Sequence, residues 1–261
     1  MPRLKEAEWW GELFGKVNGV FYNLQSLKKR RTMVNKLLTL SVFLVFWFIP
    51  SFSQTFLTPN LAIKSHETLD IMKVVKSADK TEVFLKVENR ISGGNFCADS
   101  RIFIVYPDGT RSMLIASNGI PVCPDTYKFK SPGEQLDFVL IFPPLKNGTV
   151  SFNLIEDCSD NCFSFYGIIL DGTLNAKVDN AFALAENNES AKALISFIKI
   201  AEDTGNKNPG AEGLLYLNII KLSKETGNSV KAAEWYKKLE SSGLPETALY
   251  IKHLNSLGIK Y

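Results

Sequence analysis

The apolar residues of this chain keep a period of two from about residue 60 to 175 and a helical period from about residue 178 to the end, with one change between them. A chain patterned in this way builds strands first and helices second, because neither pattern buries its apolar side as the other kind of element. Val83, Leu85 and Val87 alternate with Phe84, Lys86 and Glu88, as in a half-buried strand. Arg101 to Tyr106 makes another, Pro107-Asp108-Gly109-Thr110 is turn chemistry, and Arg111 to Ala116 resumes the run, so a hairpin is expected there.

Leu69 to Val75, Gln135 to Phe142, Thr149 to Ile155 and Phe163 to Leu170 are the further strand candidates. About seven short strands broken by Gly and Pro predict an all-β sandwich of immunoglobulin-like architecture over residues 60–175. A parallel α/β sheet is excluded for want of crossover helices.

Past the change of period, Asn180 to Glu186 reads as a short helix. Ser190 to Thr204 places Leu194, Ile195, Ile198 and Ala201 on one face and ends at Gly205, expected as a left-handed cap. Ala211 to Thr226 repeats the design with Leu214, Leu215, Leu217 and Leu222, and Gly227 terminates it. Ser229 to Leu239 and Pro245 to Leu257 follow, with Pro245 in the first turn of the last helix and Gly258 beyond its end. Residues 178–261 are therefore expected as an all-α domain of helical pairs.

The amino end carries an address. Lys28-Lys29-Arg30-Arg31 precedes Leu37 to Pro50, fourteen residues without charge, and Ser51-Phe52-Ser53 offers small residues to a signal peptidase, which would leave Gln54 or a nearby residue at the new terminus. Met33 stands four residues ahead of the run, so translation could start at Met1 or at Met33. The rival reading keeps residues 37–57, 21 uncharged residues, as an anchor in the inner membrane with the basic segment 1–36 on the cytoplasmic side. Both readings export the rest, to the periplasm or the cell surface.

The formal net charge of +3 belongs to that basic segment. Residues 1–36 hold eight basic and three acidic side chains, leaving 22 basic and 24 acidic for the remainder. A nearly neutral body lacks the footprint of a nucleic-acid partner.

Cys97, Cys123, Cys158 and Cys162 all follow the address. An even number in an oxidising compartment reads as two disulfides. Sequence alone permits three pairings; Cys97 with Cys123 and Cys158 with Cys162 are expected. Three residues separate the second couple in a strand-and-turn setting, which does not suit a redox-active thiol.

The stretch Tyr216 to Pro245 resembles one tetratricopeptide unit, with Gly227 at the inter-helix turn, Ala232 in the close-packed second helix and Pro245 one residue late. Such units bind peptides or partner proteins in a concave face, and the resemblance implies the same here. Gly119-Ile120-Pro121, Phe138 to Leu145, Asn153 to Glu156 and Phe163 to Ile168 are similar to a module recurring in exported proteins of Bacteroidetes-type bacteria, over residues 81–170. That likeness implies a compact extracytoplasmic sandwich and carries no catalytic residues. The disulfide candidates are additions to its pattern.

Chemistry is sparse. Gly93-Gly94 lacks the following glycine or lysine of a phosphate-binding loop. His66 and His253, the only two histidines, sit in no triad order and beside no cysteine couple, so neither a Ser-His-Asp site nor zinc is expected. Glu156, Asp157 and Asp160 cluster near Cys158; they are candidates for a glycan-cleaving acid pair or for calcium, with loop capping as the plainer role. Phe163, Phe165 and Tyr166 could form a recognition surface, but aromatic side chains at strand or helix period are usually core. Tyr216, Trp235 and Tyr236 are the expected partner contacts, since each combines apolar area with a polar handle.

The expectation is a non-enzymatic extracytoplasmic interaction module for an envelope protein or peptide, without cofactor, metal or nucleic acid, touching the membrane through residues 37–57 if uncleaved. Its alternatives are a cell-envelope carbohydrate-active enzyme using acids near Glu156, and a purely structural envelope protein.

Overall fold

The computed structural model describes residues 53–205 and 210–261. The basic segment 1–36, the choice of Met1 or Met33, and the uncharged run up to residue 52 lie outside the described residues. The last four residues of the proposed anchor do not: Gln54–Leu57 form strand β1, paired with Lys73–Lys76, so they are committed to a sheet and not to a membrane helix. Among the described residues no helix is long and apolar enough to cross a membrane.

The described residues form twelve strands in order: β1, β2 (Ile63–Lys64), β3 (Leu69–Lys76), β4 (Thr81–Glu88), β5 (Asn95–Phe96), β6 (Ile102–Val105), β7 (Arg111–Met113), β8 (Ala116–Asn118), β9 (Tyr127–Lys128), β10 (Gln135–Phe142), β11 (Ser151–Glu156) and β12 (Ser164–Ile169). They form two five-stranded antiparallel sheets, β1-β3-β4-β10-β8 and β2-β12-β11-β6-β7, and a small β5-β9 ribbon.

Alternation dictates the buried faces. Thr81, Val83, Leu85 and Val87 of β4 point into the core, while Phe84 lies on the outer face under Lys73 Nζ, 4.0 Å from its ring centroid. In β3 the alternation slips, with Leu69, Ile71 and Val74 buried, because a bulge at Met72 inserts one residue between the paired Ile71 and Lys73. Both sheets contribute to one cluster, Phe138, Leu140 and Phe142 from the first and Ile104, Leu154 and Phe165 from the second. Burying each such side chain contributes about 1.5–3 kcal/mol.

The run Arg111 to Ala116 is not a single strand. Leu114 N donates to Ile102 O in the second sheet, whereas Ile115 N donates to Ile141 O in the first, so the chain changes sheets between these two residues. The hairpin expected at Pro107–Thr110 is present as the β6–β7 pair.

Five helices follow: α1 (Gly172–Glu186), α2 (Ser190–Thr204), α3 (Glu212–Glu225), α4 (Ser229–Glu240) and α5 (Thr247–Ser256). The first starts eight residues before the expected Asn180, because the Asp171 side chain accepts from Leu174 N and caps an otherwise poor helical stretch. Asn175 fixes it to the sheets, accepting from Asn60 N at 2.9 Å and donating to Ile169 O at 2.9 Å. Gly205 has φ 46° and ψ −140°, a positive φ outside the left-handed helical well, so it ends α2 without the expected cap geometry. Pro245 lies two residues ahead of α5 instead of in its first turn.

Consecutive helices from α1 to α4 pack on one another and α5 packs on α3 and α4. Central α3 is apolar nearly all round, with Leu214, Leu215, Leu217, Ile219, Ile220 and Leu222 buried. Strand β12 serves two cores: Phe165 and Ile168 face the sheets, and Ile169, with Tyr166 beside it, joins the helical cluster.

Candidate functional site

The expected partner contacts are mostly interior. Trp235 and Tyr236 are each 4 % exposed and belong to the helical core, so they are corrected from surface anchors to packing residues. Their period on α4, which also buries Ala232 and Leu239, turns them inward, where removal from water outweighs any polar handle. Tyr216 is half-buried and meets the Trp235 ring edge-on at 5.3 Å. Lys238 Nζ covers the Trp235 ring at 4.0 Å. Phe163 and Phe165 are both 1 % exposed in the core of the sheets.

One exposed apolar strip of the helices lies on α2. Its sequence carries two apolar stripes one residue out of phase, where a single apolar face is expected. Ala193, Leu194, Phe197 and Ile200 face the core, while Ile195 is 67 % exposed and Ile198 half-buried. Ala191, Ile195 and Ile198, at i, i+4 and i+7, therefore form a second stripe. This stripe floors a shallow groove of about 780 Å³, closed on the far side by Thr226, Asn228 and Lys231 at the α3–α4 turn.

Local chemistry holds the walls. Ser190 Oγ donates to Glu225 Oε1 at 2.5 Å and ties the start of α2 to the end of α3. Asn228 Oδ1 accepts from Lys231 N at 3.0 Å and caps α4, and Gly227 takes φ 75° to make the sharp turn before it. Lys199, Glu202, Asp203 and Lys231 place both signs of charge around the apolar floor. An apolar strip rimmed by mixed charge suits an amphipathic polypeptide segment better than a polyanion.

The acids near Cys158 have different surroundings from one another. Glu156 is 7 % exposed; its Oε1 accepts from Asp99 N at 2.7 Å and its Oε2 from Phe163 N at 3.0 Å. Burial pushes its carboxyl up, and the two backbone donors oppose that shift. It lines a cavity of about 480 Å³ with Asp160, His66 and the Cys97–Cys123 disulfide. Asp157 is directed to Arg101, 4.0 Å away. Among the described residues no group of three or more His, Cys, Asp or Glu side chains converges to hold a metal ion, so Glu156, Asp157 and Asp160 do not make the calcium cluster.

All four cysteines are paired as expected, Cys97 with Cys123 and Cys158 with Cys162, at Cα separations of 5.3 and 5.5 Å. Two disulfides point to an oxidising, extracytoplasmic location.

Comparison with protein-family models, with curated proteins and with solved structures gave no match for this chain.

Proposed function

We propose that the chain is a non-enzymatic extracytoplasmic interaction module that docks a segment of an envelope protein or peptide on the α2 groove. The observation that carries this reading is Ile195, an isoleucine 67 % exposed and flanked at helical spacing by Ala191 and Ile198. An exposed strip of this kind gains free energy only when a partner covers it.

In this reading the two sheets are an immunoglobulin-like sandwich, related to the module of exported Bacteroidetes-type proteins, and serve as the rigid support. The helices act as tetratricopeptide-like pairs presenting one face. Two disulfides support an address in the periplasm or at the cell surface, either after cleavage near Gln54 or beside an amino-terminal anchor.

A second reading, an envelope enzyme acting on glycans, draws on the raised carboxyl of Glu156. Both of its oxygens already accept backbone N–H bonds, which fits a clamp on the 158–162 loop better than a proton donor.

Affinity capture from the envelope fraction of the native cells tests the first reading. Wild-type chain is expected to retain one specific protein at stoichiometric yield, and Ile195→Asp with Ile198→Asp to lose it. Equal retention by both would remove the groove from the function, and Glu156→Gln leaving capture intact while abolishing glycan cleavage would favour the enzyme.

A further inference from the structure

Where the second sheet meets the helices, a cleft of about 360 Å³ opens that differs in kind from the α2 groove. Ser151 and Asn153 of β11, Gly210, Glu212 at the start of α3, Glu246 just ahead of α5 and Tyr250 within it are the polar and close-packed parts of its wall. The volume lies in the range of small-ligand sites, and a seam between a sheet and a helical layer is a usual place for one.

Its charge is of one sign. Glu212 and Glu246 are the charged residues of the wall, with no lysine, arginine or histidine among the described residues that line it. Asn153 Nδ2 donates to Glu246 Oε1 at 2.6 Å and Asn153 Oδ1 accepts from Gly167 N at 2.7 Å, so this carboxylate is held in place. Glu212 has its carboxyl pushed up by burial, with no donor or cation contributing. Burial, followed by the charge of Glu246, also pushes up the phenol of Tyr250.

A second observation is independent of the acids. Ser151 is 1 % exposed and its Oγ has no hydrogen-bond partner among the described residues. The hydroxyl is directed at Gly210, where a Cβ would lie 2.0 Å from Oγ, so both residues belong to the same wall. A buried hydroxyl without a partner is uncommon in folded proteins and needs a reason.

Two carboxylates with no cation beside them, and a hydroxyl with no partner, among the described residues are complemented by a group that brings positive charge and several N–H donors. An ammonium supplies one charge and three donors, whereas a carboxylate or phosphate would meet repulsion from both acids. Val105, Phe152 and Leu244 complete the wall with apolar surface for a short stem. We propose that this cleft binds a primary amine on a short aliphatic stem, with Glu212 and Glu246 as charge partners and the Ser151 hydroxyl as a neutral one.

The amine can be a free small molecule or a lysine side chain of a peptide, and calorimetric titration of the full chain separates the two. Cadaverine is the probe for the first source and a capped Gly-Lys-Gly peptide for the second; 1,5-pentanediol and glutarate are controls of similar length. At least one amine is expected to saturate at one site, with neither control doing so, and Glu212→Gln and Glu246→Gln each to weaken binding at least tenfold. Ile195→Asp on the α2 groove is expected to leave amine binding unchanged, which keeps this test apart from that of partner docking. No saturable binding of either amine, equal binding of the diol, or unaltered affinity in both glutamine variants would overturn the proposal.

Discussion

Asn153 Nδ2 donates a 2.6 Å hydrogen bond to Glu246 Oε1, joining β11 of the second sheet to the residue that precedes α5, 93 positions later in the chain. The same amide accepts from Gly167 N on the neighbouring strand at 2.7 Å. One side chain thus fixes both a bulged strand pair and the approach of the last helix.

Replacing Asn153 with alanine removes a bond to a carboxylate and leaves the Gly167 N–H without its partner. Asn153→Ala is expected to destabilise the protein by about 2–4 kcal/mol. Urea unfolding checks this, and a loss below about 0.5 kcal/mol, the size of an ordinary surface change, would mean that the contact does not hold the seam.

Close packing sets a second expectation. A Cβ on Gly213 of α3 would lie 2.4 Å from two ring carbons of Tyr250, which is 2 % exposed. Gly213→Ala is therefore expected to lower stability by about 1–3 kcal/mol despite alanine's better helix propensity. Combining it with Tyr250→Leu should cost less than the sum of the two single changes, measured by a double-mutant cycle in thermal unfolding.

The disulfides should differ in worth because their loops differ in length. Cys97–Cys123 closes a separation of 26 residues and Cys158–Cys162 one of 4. Loop-closure entropy gives about 3.5 kcal/mol for the first and about 1.9 kcal/mol for the second. Double serine variants compared by chemical denaturation test the order, and a larger loss from the shorter loop would contradict it.

The pH dependence of Glu212 has a definite sign. Burial favours its neutral acid, so its pKa in the folded protein stands above the ordinary value of 4.5. Between those two values the folded state binds more protons than the unfolded chain, and stability falls as pH rises through the window. Glu212→Gln removes that loss, so the variant is expected to melt higher than wild type at pH 7, with the difference closing below about pH 4. Equal melting temperatures at pH 7 would show that the carboxylate is well solvated.

Long, regular patterns were legible in the sequence. The Gln135–Phe142 strand has the expected bounds, and α2 occupies Ser190–Thr204 as its period requires. The short strands β1, β2, β5 and β9 were not read, because two to four residues hold too little alternation to register. Phe163 to Leu170 reads as a strand, but only the structure reveals why it is almost continuously apolar: β12 is covered by the sheets on one face and the helices on the other. The groove was half legible. Ile195 and Ile198 were identified as apolar, yet two stripes one residue apart on one helix cannot be ranked until the packing of Phe197 and Ile200 chooses the inner one. Trp235 and Tyr236 failed as surface anchors for the same reason, since residue type alone does not give direction.

Docking on the α2 groove is tested most directly by a photocrosslinking amino acid placed at residue 195 in the native cells, with the same group at Ile91, 66 % exposed in the β region, as control. A single crosslinked envelope protein at position 195 that is absent from position 91, and lost when Ile198 is changed to Asp, is the expected result. Equal labelling at the two positions, or none at 195, would contradict the assignment of the groove as the docking site.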